Sequence, residues 1–130
     1  MIVADASVIV ELLRGVSARA AIVGRLAEAP RPFHVPHLLD AEVAQVFRRL
    51  TAGGAVSAAG GFHALQALGM LSLRRHAHGP LLRRCWELRD NLTAYDALYV
   101  ALAERLGATL LTRDARLARA PGIGAAVEIV

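Results

Sequence analysis

Four carboxylates in this sequence share a local setting that single acids seldom share by chance. Asp5 follows the apolar run Ile2-Val3-Ala4. Glu42 lies early in a helical stretch that begins after Pro36. Asp96 stands three residues after Thr93, and Asp114 ends the segment Thr112-Arg113-Asp114 behind another apolar run. Each acid is placed at a strand end or in the first turn of a helix, with apolar neighbours. Drawn together to ~5 Å at an effective dielectric of ~20, each pair would repel by about 3 kcal/mol. Such a cluster persists when a cation sits in it. An oxygen-only donor set with open positions suits Mg²⁺ or Mn²⁺. The chemistry served is in-line phosphodiester hydrolysis, with activated water and a stabilised leaving oxygen. Taken singly, each acid has a structural alternative as a helix cap or as a favourable charge at a helix N-terminus. The joint pattern favours a site. No sulfur or imidazole set competes with it, because His76 and His78 form only an HxH pair, read as loop, and Cys85 stands alone and reads as packing.

The elements that must position these acids can be read in outline. Asn91 to Arg116 is the organising stretch. Thr93 and Asp96 make a helix-start signature, in which the hydroxyl accepts from the Asp96 N–H. Ala97 to Ala103 is apolar on every side, which predicts a helix buried all round. Gly107 ends it. Ala108 to Thr112 is of strand length, and Asp114 precedes a short helix, Ala115 to Arg119. At the other end of the chain, Ile2 to Ala4 reads as a buried strand, followed by a helix through Val8, Ile9, Leu12 and Leu13. Ser17 is expected to cap a second helix with Ile22, Val23 and Leu26 inward. Phe33 to Val35 is a short strand stopped by Pro36. The next helix carries Val43, Val46, Phe47 and Leu50 inward, with Asp40 as its expected cap and Arg48 and Arg49 on its polar face. Ser57 caps a helix through Phe62, Leu65 and Leu68, and the Gly53 to Leu71 region forms an αα unit with apolar surface to spare. Leu71 to Leu73 is a possible third strand. Pro80 starts a helix from Leu81 to Arg89, with Leu82, Cys85 and Trp86 inward and Arg83, Arg84 and Arg89 outward. Val127 to Ile129 is a last edge strand. If the strands are parallel with right-handed crossovers, all four acids fall at one edge of the sheet, where open α/β sheets bind ligands.

A chain of 130 residues is one domain, 1–130, with a single substantial core. No apolar run reaches the ~20 residues of a membrane helix, no signal peptide is evident, and the lone cysteine excludes an intramolecular disulfide. These features predict a cytoplasmic protein. The formal charge is +4, and all fifteen basic residues are arginine. With four of the eleven acids set aside for a site, seven remain against those fifteen arginines. A basic surface around an acidic hole suits a nucleic-acid partner, and Arg48, Arg49, Arg83, Arg84 and Arg113 are candidate phosphate contacts.

The set Asp5-Ala6-Ser7, Glu42, Tyr95-Asp96-Ala97 and Thr112-Arg113-Asp114, in this order over the whole chain, resembles the PIN-domain nucleases, and among them the VapC-type toxins of bacterial toxin–antitoxin pairs. The resemblance implies a three-layer α/β/α fold around a mostly parallel sheet of about four to five strands. It implies that Asp5, Glu42, Asp96 and Asp114 are the catalytic, metal-holding acids, with Ser7, Thr93, Thr112 and Arg113 beside them. It further implies a Mg²⁺-dependent (or Mn²⁺-dependent) endoribonuclease acting on structured RNA such as a tRNA or rRNA stem-loop, a homodimer, and neutralisation by a VapB-type antitoxin.

Two other functions are open to the same fold. A phosphoacceptor-aspartate phosphatase needs DxD after the first strand, where Ser7 holds the second place. A receiver needs a lysine, and the chain has none. A catalytically silent binding module would keep the fold without needing the acids.

Overall fold

The computed structural model describes residues 1–15 and 19–130, so the expected cap at Ser17 lies outside the described residues. Five strands form one sheet: β1 (Ile2–Ala4), β2 (Phe33–Pro36), β3 (Leu73–His76), β4 (Thr109–Thr112) and β5 (Val127–Ile129). Their order is β3-β2-β1-β4-β5, and every pairing is parallel. Among the described residues the expected four to five strands are thus five, all paired in parallel. Helices α1 (Ala6–Arg14), α2 (Arg19–Ala27), α3 (Leu38–Ala52), α4 (Ala58–Met70), α5 (Leu82–Glu87), α6 (Ala94–Leu106) and α7 (Ala115–Arg119) complete an α/β/α arrangement. Consecutive strand residues divide between two apolar clusters, Ile2 and Leu111 going to one and Val3 and Leu110 to the other. That division is what a sheet covered on both faces requires. Strand order reverses at β1: the chain runs outward through β2 and β3, then returns to β4 on the other side. The crevice between the carboxyl ends of β1 and β4 is the topological switch point.

The central helix forms as its sequence dictates. Thr93 Oγ1 accepts from the Asp96 N–H at 3.2 Å, Ala97 through Ala103 are all buried, and Gly107 closes the helix at φ 59°, in the left-handed region. Asp5 and Asp114 are N-caps of α1 and α7.

Several local expectations are corrected. The third strand is Leu73–His76, not Leu71–Leu73, so His76 belongs to the sheet. It pairs alongside β2, and its Nε2 lies 2.9 Å from His34 Nδ1. Asp40 is not a cap. His37 occupies the N-cap of α3 without a side-chain bond, and the Leu38 N–H is met by His78 Nε2 at 2.9 Å. Asp40 instead forms a two-pronged pair with Arg75 at 2.7 and 2.8 Å. Val23 is 39% exposed, although Ile22 and Leu26 are buried. The expected helix from Leu81 splits into a 3₁₀ turn, Gly79–Leu81, and α5. Its inward stripe is Leu81, Cys85 and Leu88, while Leu82 and Trp86 are exposed, and Arg89 lies over the Trp86 ring at 4.8 Å. Arg84 reaches Glu104 of α6 at 2.6 Å and the Gly122 carbonyl at 2.7 Å. Arg84 is a strut between α5, α6 and the chain near β5, not a free phosphate contact.

Candidate active site

The four acids come from four different elements. Asp5 leaves β1, Glu42 lies on α3, Asp96 opens α6, and Asp114 follows β4. Asp5 is the most constrained. Its Oδ1 accepts from Ser7 Oγ at 2.5 Å and from the Val8 N–H at 3.2 Å, and its Oδ2 accepts from Thr112 Oγ1 at 2.5 Å. Burial pushes its carboxyl above the ordinary value, against the opposing pull of these hydrogen bonds. Asp5 therefore caps α1 with one oxygen while the other is held by Thr112.

Ser7 and Thr112 tie α1 to the end of β4. The Ser7 hydroxyl, while donating to Asp5, accepts from the Arg113 N–H at 2.9 Å. The Thr112 hydroxyl, fully buried, accepts from the Asp114 N–H at 2.9 Å. The two hydroxyls expected beside the acids thus fix the loop that carries Arg113 and Asp114. Thr93 caps the Asp96 N–H, and its hydroxyl also pulls the Asp96 carboxyl downward.

Glu42 and Tyr99 sit in the interior of the cluster. Glu42 Oε1 and the Tyr99 hydroxyl are buried without a hydrogen-bond partner among the described residues. Burial raises Glu42 first; the Tyr99 hydroxyl beside it opposes that rise, and the charges of Asp96 and Asp5 add to it. Burial, then the charge of Glu42, drives the Tyr99 phenol upward, so it stays protonated. Burial raises Asp96, the Thr93 hydroxyl opposes that rise, and the charge of Asp114 adds to it. The four acids therefore form one electrostatic neighbourhood.

Asp114 behaves differently. Arg116, two residues on, donates to it from Nε at 3.1 Å to both oxygens and from Nη2 at 2.6 Å, and the Arg116 N–H adds 2.9 Å. The guanidinium, then that N–H, hold the Asp114 carboxyl below its usual value. With Asp114 turned to Arg116, no three His, Cys, Asp or Glu side chains among the described residues close on a single point at ligand distance. The fold brings the four acids to one edge but leaves Asp114 facing its own arginine.

Three participants escaped the sequence reading. Tyr99 was counted with the apolar run, although it lies one turn after Asp96 on the same helix face. Arg116 is close enough to Asp114 for a fork, a contact that local spacing hints at. Glu11 is 8% exposed and takes Arg113 Nη1 at 2.9 Å; an acid one turn beyond Ser7 in an apolar helix was the available signal.

The PIN domain family model matches residues 2–123. The chain belongs to the PIN-domain family. Among its relatives, Ribonuclease VapC1 of Mycobacterium tuberculosis (strain ATCC 25618 / H37Rv) is 44% identical over 130 residues, spanning 98% of this chain and 96% of that protein. Ribonuclease VapC12 of Mycobacterium tuberculosis (strain CDC 1551 / Oshkosh) is 38% identical, spanning 100% and 99%. The PIN fold recurs in the VapBC2 structure from Rickettsia felis, bound to a DNA fragment from its promoter (TM-score 0.72, 16% identity, 100% and 99% of the two chains). It recurs again in a toxin–antitoxin complex from Klebsiella pneumoniae (TM-score 0.72, 18% identity, 100% and 96%). At those identities the likeness is one of fold. Among the described residues, no helix is long and apolar enough to cross a membrane.

Proposed function

We propose that this PIN domain is the toxin of a type II toxin–antitoxin pair, a cytoplasmic Mg²⁺- or Mn²⁺-dependent endoribonuclease acting on structured RNA. The observation that supports the reading is the buried, unpartnered Glu42 oxygen, pushed upward by burial and by the charges of Asp96 and Asp5, at the switch point of a parallel sheet. Its relatives named as VapC ribonucleases support the same reading.

The donor set fits a hard divalent cation. It is oxygen-only, three of its carboxyls are disfavoured as anions by their surroundings, and one buried oxygen lacks a partner. Asp5, Glu42, Asp96 and Asp114 would hold the ion. When bound, it supplies activation of water and charge stabilisation at the phosphodiester. The protein's own share is orientation. Ser7, Thr112 and Val8 lock Asp5 in one rotamer, Thr93 sets the start of α6 and so the place of Asp96, and Glu11 braces Arg113 beside the acids. Arg113, paired with Glu11, and Arg116, paired with Asp114, carry guanidinium groups beside the acids and would turn to a phosphate only by leaving those carboxylates.

The partner surface in this reading is apolar. Phe62 and Met70, both on α4, are 61% and 87% exposed. A cavity of about 340 Å³ between α1, α2 and α4 is lined by Leu12, Val23, Leu26, Phe33 and Leu71. A VapB-type antitoxin segment would cover these residues, and the protein would work as a homodimer.

Purified protein should cleave a structured RNA when Mg²⁺ or Mn²⁺ is present and stop when EDTA is added. Cleavage that survives complete chelation, on RNase-free preparations, overturns the metal-dependent reading.

A further inference from the structure

Beside the acids runs a groove of about 400 Å³, within the range of small-ligand sites. Leu38, Glu42, Gln45, Val46 and Arg49 of α3 form one wall, and Tyr95 forms the other. Glu42 is shared with the acid cluster, and Tyr95 immediately precedes Asp96. The groove is therefore continuous with the site where a phosphodiester would be cut. We propose that it is a nucleobase subsite, with Tyr95 stacking on the base next to the scissile phosphate. The proposal rests on the nuclease reading and adds to it a residue that grips a base.

Tyr95 is 63% exposed, unlike Tyr99 one turn later, so its ring face is open to a ligand. A nucleobase is a flat apolar surface with a polar edge, and the groove offers both complements. Leu38 and Val46 supply the apolar floor. The Arg48 Nε donates to Gln45 Oε1 at 3.0 Å, which leaves the Gln45 amide N–H groups to donate to a base edge. Arg49 forms no ion pair among the described residues, so its charge is free for the next phosphate. A nucleotide brings its own anion. Stacking on an aromatic ring tolerates every base, because every base has a π-face.

The test uses the full-length protein in EDTA, so that nothing is cut. A short fluorescein-labelled single-stranded RNA of mixed sequence is titrated beside the same strand made abasic. Tyr95→Ala should weaken the base-bearing strand about 5- to 150-fold and leave the abasic strand unchanged, while Tyr95→Phe binds like wild type. Arg49→Ala should weaken both strands alike and reduce the salt slope by ~1. Equal weakening of both strands by Tyr95→Ala, or none, overturns the subsite. A change of oligomeric state in Tyr95→Ala on light scattering also overturns it and assigns the groove to a second copy. Wild type that binds neither strand and cleaves no RNA with Mg²⁺ brings down the nuclease reading as well. Wild type that binds and cleaves, with Tyr95→Ala indistinguishable from it, removes the subsite alone.

Discussion

Asp5→Asn should lower kcat/KM for RNA cleavage by about a thousandfold or more while leaving the protein folded. A thousandfold corresponds to about 4 kcal/mol of lost transition-state stabilisation, within the several kcal/mol that a correctly held cation contributes. The geometry explains why folding survives. Asn keeps one oxygen to accept from Ser7 Oγ and the Val8 N–H, the two donors that meet Asp5 Oδ1. Its amide nitrogen falls where Oδ2 accepts from Thr112 Oγ1, and the Thr112 hydroxyl can rotate to accept there instead. What is lost is the negative charge at the end of β1. Steady-state cleavage rates with circular dichroism on the same preparations check this. Asp5→Asn with near-normal turnover would remove Asp5 from the catalytic set.

The second large effect concerns stability and runs opposite to activity. In metal-free protein at neutral pH, Glu42→Gln should unfold at a higher temperature than wild type. Glu42 carries a buried oxygen with no partner and is pushed upward by burial, then by the charges of Asp96 and Asp5. A neutral amide ends the repulsion and can donate to Tyr99. Relief of a buried unsatisfied group is worth about 1–3 kcal/mol, with roughly 3–5 °C per kcal/mol for a chain of this length.

The pH dependence follows in sign. Asp5, Glu42 and Asp96 all have folded pKa values above their unfolded ones. The folded state then binds more protons than the unfolded state between the two values. Stability of the metal-free protein therefore falls as pH rises from near 4 through the raised values. Asp114 works the other way, since Arg116 lowers it; its contribution is present above its unfolded pKa and is lost as pH drops through the folded one. Glu42→Gln should flatten the fall on the neutral side, and its advantage should vanish in acid, where wild-type Glu42 is protonated. Thermal unfolding in EDTA at several pH values reads both features. If Glu42→Gln is less stable than wild type at neutral pH, the acids are not in mutual repulsion.

Much of this arrangement was legible in the sequence because local rules decided it. Thr93 three residues before Asp96 is a cap wherever it occurs, Gly107 is free to take a left-handed φ, and a strand that ends in Asp5 or Asp114 hands its acid to the next helix start. The parallel sheet follows from strands separated by helices. What was not legible depended on rotation and reach. Which face of α5 turns inward, leaving Trp86 exposed and Arg84 on Glu104, is set by its packing on the rest of the fold. The pairing of His76 with His34 needed the register of β3 against β2. The fork of Arg116 on Asp114 depends on a rotamer, and the isolation of Tyr99 beside Glu42 depends on which face of an apolar helix meets α3. Periodicity reports burial, not which polar atom in the burial lacks a partner.

The central claim is that Asp5, Glu42, Asp96 and Asp114 make one divalent-cation site. The most direct measurement is thermal unfolding of wild type and Asp96→Asn at neutral pH, each in EDTA and in a graded series of Mg²⁺ or Mn²⁺. A ligand that binds only the folded state adds RT ln(1 + [L]/Kd), about 2.7 kcal/mol at a hundredfold excess over Kd. Wild type should show that gain. Asp96→Asn should start more stable in EDTA, because one repelling charge is gone, and then gain little from either ion. Equal gains in the two proteins, or no gain in wild type, would contradict a shared site and leave the acids as four separate structural carboxylates.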